Sequence, residues 1–322
     1  MGGGINVRDL SRVRRRGLPT CGPARGLVCA SAALAIACVG AKPAHAQSGA
    51  VERTLERMGR MVEGAMARVG GGWNRSREDY QVASRQEAPG FRWSGQVPAG
   101  GSLEIKGVNG AIFAELAEGP EAVVTTEVRG RRSDPGSVRI EVVEHDGGLT
   151  LCAVYPSPEG DRENVCAPGS GGRMNTRRND VEVEFHVRVP AGVPFVARTV
   201  NGEVEALDLE SDVSAVTVNG DVDVTTSGVA EAETVNGSID VAMQAVPAAQ
   251  GLSFSTVNGS IRLDLPNDVD AELDARWLNG ELESDLPIML SGRMGRRAAR
   301  GTLGDGGPLL DVSTVNGSIR IR

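Results

Sequence analysis

The first residues of this chain that could do chemistry are its paired carboxylates. Asp208, Glu210 and Asp212 alternate along the chain, as do Asp221 and Asp223, Asp268 and Asp270, and Glu281 and Glu283. On an extended strand a spacing of two puts each pair on one face. Such pairs can act as acid and base in glycoside hydrolysis, or offer oxygen ligands to Ca²⁺. Here the same face also carries Ser, Thr and Arg, as a solvated strand face does. Neither an EF-hand pattern nor a Ca²⁺-binding nonapeptide repeat is present. The pattern therefore assigns no catalytic residue, no metal ligand and no cofactor.

Other candidates are few. His145 and His186 lie in strand-like runs, away from a Ser or Cys nucleophile and not at ligand spacing, and read as plain strand positions. Gly169-Ser170-Gly171-Gly172-Arg173 lacks the Gly-Lys-Ser/Thr ending and following helix of a phosphate loop. Arg293, Arg296, Arg297 and Arg300 form a basic cluster in an acidic chain. They make a candidate binding loop for anionic glycans or lipid headgroups, without the interleaved aromatics that stack nucleic-acid bases. Cys152 and Cys166 stand 14 apart across a turn-rich stretch. With no histidine at ligand spacing to complete a metal site, they read as a disulfide, worth about 3 kcal/mol in the chain-entropy picture.

These residues must be positioned by a repeat. Thr-Val-Asn-Gly followed by a polar residue and Ile or Val occurs at Asn201-Gly202, Asn219-Gly220, Asn236-Gly237, Asn258-Gly259 and Asn316-Gly317. Looser copies stand at Asn109-Gly110 and Asn279-Gly280. From Asn201 on, the spacings are 18, 17, 22, 21 and 37, a period that marks a repeat architecture. Alternation around each copy gives one apolar face, for example Leu252, Phe254, Ile261 and Leu263, which a single repeat cannot bury alone. Two topologies fit. Asn-Gly can close type I′ hairpins, or turn a corner between coils of a β-solenoid. The hairpin register sets Glu233 against Asp240, an unfavourable like-charge pair, so the solenoid is favoured. The final gap holds an insertion, Ser291–Gly307, expected to project from one coil.

The N-terminal residues read as an export signal. Six arginines precede an apolar stretch at 26–40 that is too short for a comfortable span, and Ala44-His45-Ala46 offers a cleavage site. Cys38 raises the alternative of lipidation and Arg14–Arg16 that of a twin-arginine signal; neither matches its full pattern. Removal of 1–46 leaves 27 basic against 41 acidic residues, a balance that disfavours nucleic acid and anionic membranes. Val51–Val69 has helical apolar spacing, and Gly72–Pro89 reads as a polar linker. The expected organisation is a signal at 1–46, helix and linker at 47–90, and an all-β region at 91–322. That region divides into an irregular disulfide-bearing half (91–190) and a regular array (191–322), with no membrane span after the signal.

F-R-W-S-G-Q-V-P-A-G from Phe91, L-E-I-K-G-V-N-G, the T-V-N-G repeats and N-D-V-E-V-E-F-H-V-R-V-P-A-G-V resemble the DUF4097 family of exported bacterial β-repeat proteins, which carries an adhesin label. The resemblance implies a β-solenoid-like domain outside the cytoplasm, periplasmic or at the cell surface, and no catalytic residues. The expected function is a non-enzymatic adhesin or envelope scaffold that binds a protein or glycan. The alternatives are a carbohydrate-active enzyme on a β-helix and an envelope-stress sensing partner acting through the 51–69 helix.

Overall fold

The computed structural model describes residues 80–246, 250–291 and 297–322. The expected signal, the 51–69 helix, Arg293 and Arg296 lie outside the described residues. The described residues form strands and one 3₁₀ turn, Pro135–Ser137. The first strands are β1 (Tyr80–Glu87), β2 (Arg92–Gly95), β3 (Ser102–Lys106), β4 (Ile112–Leu116) and β5 (Ala122–Arg129). Next come β6 (Arg139–His145), β7 (Gly148–Val154), β8 (Glu182–Val189), β9 (Phe195–Arg198) and β10 (Val204–Leu209). β11 (Val213–Val216), β12 (Val222–Thr226), β13 (Ala230–Glu233), β14 (Ile239–Met243), β15 (Leu252–Ser255) and β16 (Ile261–Asp264) continue the array. The last are β17 (Ala271–Asn279), β18 (Leu282–Ser284), β19 (Ile288–Leu290), β20 (Ala298–Leu303), β21 (Leu309–Asn316) and β22 (Ile319–Ile321).

Each repeat is one coil of a β-solenoid. Its first strand joins sheet I, the chain turns at Asn-Gly, and its second strand joins sheet II. Sheet I runs β1-β6-β7-β3-β9-β11-β13-β15-β21-β17-β20-β19, and sheet II runs β18-β22-β16-β14-β12-β10-β4-β8-β5-β2. Neighbouring coils pair parallel and in register, as in Val222 with Ile239 and Ile239 with Ile261. The hairpin alternative is thereby excluded: Glu233 never meets Asp240, which lies beside Asp223 and Arg262.

Three features depart from the sequence reading. Tyr80–Glu87 is a strand antiparallel to β6 and not linker; its polar sequence suits an exposed sheet edge. The 91–190 half is continuous with the array, because β3–β4 is a coil and β7 and β8 flank it as another. Residues 155–181 form the enlarged corner of that coil. Third, coil order departs from chain order: β21–β22 sits between β15–β16 and β17–β18. The insertion does not simply project, since Ala298–Leu303 pairs with both β17 and β19.

The core lies between the sheets. Phe185, Ile112, Val204, Val222, Ile239, Ile261 and Ile319 line up across sheet II, all at most 1% exposed. They face residues such as Phe195, Ala215, Ala232, Phe254 and Val312 from sheet I. Each buried aliphatic or Phe side chain contributes about 1.5–3 kcal/mol, so this stacked core is the main source of stability. It also turns the opposite parity away from the core, solvated on most strands but covered on β7, where Val143, Cys152, Val154 and Cys166 form a second cluster.

Candidate functional site

The corner motif explains its own letters. The asparagine amides form a ladder, each Nδ2 donating to the Oδ1 of the next coil: Asn201 to Asn109, Asn219 to Asn201, Asn236 to Asn219 and Asn258 to Asn236, at 2.7–2.8 Å. Asn316 donates to Asn258 and Asn279 to Asn316, both at 2.7 Å. The buried threonine hydroxyls donate to glycine carbonyls of the adjacent coil, as Thr217 to Gly202 at 2.8 Å and Thr256 to Gly237 at 2.8 Å. Glycine is required because a Cβ at Gly220 lies 2.0 Å from the Gly202 carbonyl oxygen, and one at Gly237 lies 1.9 Å from that of Gly220. These asparagines do not adopt positive φ. Close coil-to-coil approach therefore selects glycine at Gly202, Gly220, Gly237 and Gly259, and positive φ adds to it at Gly110, Gly280 and Gly317. The motif's hydrogen bonds hold coil to coil, and at one end Asn109, Gly110, Asn201 and Gly202 also line a cleft.

What remains for function is the outer face of sheet II. Register carries one row across it: Arg92, Thr125, His186, Phe113, Glu205, Asp223, Asp240, Arg262, Arg320 and Glu283. Glu205, Asp223 and Asp240 stand side by side on adjacent strands, where like charges are destabilising. Partial burial, then the Glu203 and Asp223 charges, push the Glu205 carboxyl up from its ordinary value. Asp223 is raised by burial and then by Asp240. Arg262 ion-pairs with Asp240 at the end of this run.

Two clefts open on the same face. One, about 560 Å³, is lined by residues including Glu127, Arg129, Asp180, Glu182, Glu184 and Glu203. The other, about 760 Å³, includes Phe113, Glu115, His186, Arg188, Glu205 and Leu207. Between them, β5 and β8 bring Glu127 directly opposite Glu184, with His186 two residues on. The His186 Nε2 lies 3.0 Å from the Glu184 Oε1 and 4.0 Å from the Glu127 Oε1. Its ring stacks on Phe113, with centroids 5.4 Å apart. His186 is therefore not a plain strand position. Its partners are a carboxylate two residues away, readable as E-F-H, and another across the sheet, which spacing along the chain cannot reveal.

The enlarged corner is closed by charge as well as by sulfur. Cys152 and Cys166 form the expected disulfide. The Lys106 ammonium donates to the carbonyl oxygens of Ala167, Gly169 and Gly171 at 2.6, 2.5 and 3.1 Å. The buried Glu104 carboxylate accepts from the Gly169 amide, the Thr150 hydroxyl and the Arg198 guanidinium at 2.8–2.9 Å. Burial lowers the Lys106 pKa to about 8, with Glu104 opposing. The glycine-rich loop is a cradle for this internal cation.

The remaining sequence candidates are dispersed. Asp221 and Asp223 do share the outer face of sheet II, as do Glu281 and Glu283. Asp208, Glu210 and Asp212 do not share a strand face. Asp208 is in the left-handed region, with φ 54°, and Glu210 and Asp212 lie in the turn between β10 and β11. Asp268 and Asp270 occupy a turn as well, and Asp270 caps the Asp305 amide at 2.8 Å. Arg297 is exposed. Arg300 is a strand residue on sheet I, 3.4 Å from Asp274, which Arg276 also engages.

Residues 173–322 match the family model described as Toastrack DUF4097, so the resemblance carried by the repeats is shown over that stretch. Among solved structures the chain is similar to "a putative cell adhesion protein" from Clostridium sporogenes ATCC 15579. The identity is 11% and the TM-score 0.37, covering 72% of this chain and 98% of that one. It is also similar to "a putative adhesin" from Bacteroides fragilis NCTC 9343, at 13% identity and a TM-score of 0.31, covering 72% and 96%. No curated protein matches this chain.

Proposed function

We propose that this chain is an exported, non-enzymatic β-solenoid that binds a macromolecular partner across the outer face of sheet II, as an adhesin or an envelope scaffold. The observation that carries the reading is the row Glu205–Asp223–Asp240, where register forces carboxylates together on an open face. A partner presenting cationic groups, on a protein or an amino-bearing glycan, relieves that repulsion. The disulfide supports an oxidising compartment. Among the described residues no helix is long and apolar enough to cross a membrane. A non-enzymatic role is supported by the dispersal of the acidic pairs, of which Asp221–Asp223 and Glu281–Glu283 lie on an open sheet face and Asp270 caps a turn.

The test is capture from bacterial envelope extract by the full chain, by Glu205→Gln/Asp223→Asn, and by Arg293/Arg296/Arg297/Arg300→Ala. Loss of capture in the first variant alone is expected. Loss only in the arginine variant moves the interface to the insertion, and capture unchanged in both sinks the reading. The acidic variant should not fail by unfolding. Both groups have folded-state pKa values raised above the unfolded ones, so their repulsion is present above the raised pKa and relieved as pH falls through it. Neutral substitutions are expected to raise Tm at pH 7, and the difference from the unmodified chain should vanish in acid.

A further inference from the structure

The Glu127–Glu184–His186 cluster has a chemistry that partner binding does not use. We infer that it is a binding site for one divalent transition metal ion of the zinc class. The side chains come from adjacent antiparallel strands, and their ligand atoms all lie within 4.8 Å of one another. A tetrahedral ion with bonds of about 2.0–2.2 Å needs ligand atoms about 3.3–3.5 Å apart. The Nε2 to oxygen separations are 3.0 Å to Glu184, a hydrogen bond that the ion would replace, and 4.0 Å to Glu127. Glu127 is the more exposed of the two carboxylates. Arg129 pairs with Glu127 through Oε2 at 3.2 Å, whereas Oε1 is the atom near His186; the arginine therefore leaves the ligating oxygen available.

Three further observations favour an ion here. Glu127 and Glu184 are directly cross-strand, a like-charge pairing that Arg129 offsets only from the Glu127 side. The imidazole is held by its stack on Phe113, so its orientation is set before an ion arrives. The adjoining cleft is lined by Glu127, Asp180, Glu182, Glu184 and Glu203 against Arg129, which attracts cations. An imidazole ligand selects zinc, cobalt or nickel over Ca²⁺ and Mg²⁺, which take oxygen. Three protein ligands leave at least one coordination position toward the cleft for water or a donor atom of another molecule.

The experiment is calorimetric titration of the chelator-stripped full chain with Zn²⁺ and separately with Ca²⁺, and Co²⁺ absorption spectroscopy. One zinc per chain is expected, with a Co²⁺ visible spectrum of reduced coordination number. His186→Ala and Glu184→Gln are expected to weaken Zn²⁺ binding at least about 10-fold, whereas His145→Ala, on the other sheet, leaves it unchanged. Circular dichroism melts confirm that the variants fold. Equal zinc affinity in His186→Ala, or Ca²⁺ binding as tight as Zn²⁺, overturns the inference.

Discussion

Gly220 shows how little freedom a single position in the corner has. The Gly202 carbonyl oxygen lies 2.0 Å from where its Cβ would be, and that oxygen also accepts the Thr217 hydroxyl. A side chain there cannot be accommodated by rotamer change, because the obstacle is backbone on the neighbouring coil. Gly220→Ala is therefore expected to cost several kcal/mol, about the 2–5 kcal/mol of a severe core substitution. Asn236→Ala removes only its ladder hydrogen bonds and should cost about 1–2 kcal/mol. Urea denaturation of the two variants checks the order; a Gly220→Ala protein as stable as the parent would refute the close-approach account. The sequence showed that Asn and Gly recur together and invited turn conformation as the reason, which holds for the positive φ of Gly110, Gly280 and Gly317 but not for the asparagines or for Gly220. A motif shared by hairpins and solenoid corners does not disclose which neighbour it touches.

At the scale of elements, the 155–181 corner stands apart from the others. Every other repeat turns in a few residues, whereas this one is held by a disulfide and by Lys106. The chain has two lysines, Lys42 and Lys106, among 34 basic residues. Lysine fits this position because a compact ammonium reaches three converging carbonyls, which a planar guanidinium fork does not. The folded pKa is about 8, against about 10.4 unfolded. Between those values the unfolded chain binds the proton that the folded one has released, so this group's penalty is full below pH 8 and fades as pH rises. The expected outcome is an increase in the chain's stability of about 3 kcal/mol across that window, absent in Lys106→Met. Chemical denaturation at pH 7.5 and 10 measures it; equal pH slopes in the two proteins would disprove it. Little of this was legible in sequence. Cys152 and Cys166 announced themselves by spacing, but Lys106 and Gly169 are 63 residues apart, and their meeting depends on which coil β7 joins. The same holds for Glu127 and His186, placed side by side only by the β5–β8 register.

Across the described molecule, inward parity was legible almost residue by residue, because alternation and the corner motif phase each strand independently. The stacking order was not. Asn279 and Asn316 carry the same corner, and nothing in either says that the later coil lies inside the earlier one. The placement has an energetic consequence. β21–β22 supplies the parallel partners of β15, β16, β17 and β18 at once. Deleting residues 309–322 is expected to abolish hydrogen-exchange protection in β17–β20 while leaving β3–β4 and β9–β12 protected, since contacts in a solenoid are between nearest neighbours. Protection persisting in β17–β20 after the deletion would mean that these strands are a self-sufficient unit.

The Asn258–Asn316–Asn279 order also decides where such an array can be lengthened. Between Phe195 and Asp264 each coil follows its predecessor in both chain and space, so a duplicated repeat there needs only another Thr-Val-Asn-Gly corner to slot into the stack. Beyond Asp264 the chain skips a place and returns to fill it. A module added in that region would have to share the place to which β21–β22 returns, so growth by simple duplication is easiest in the ordered coils.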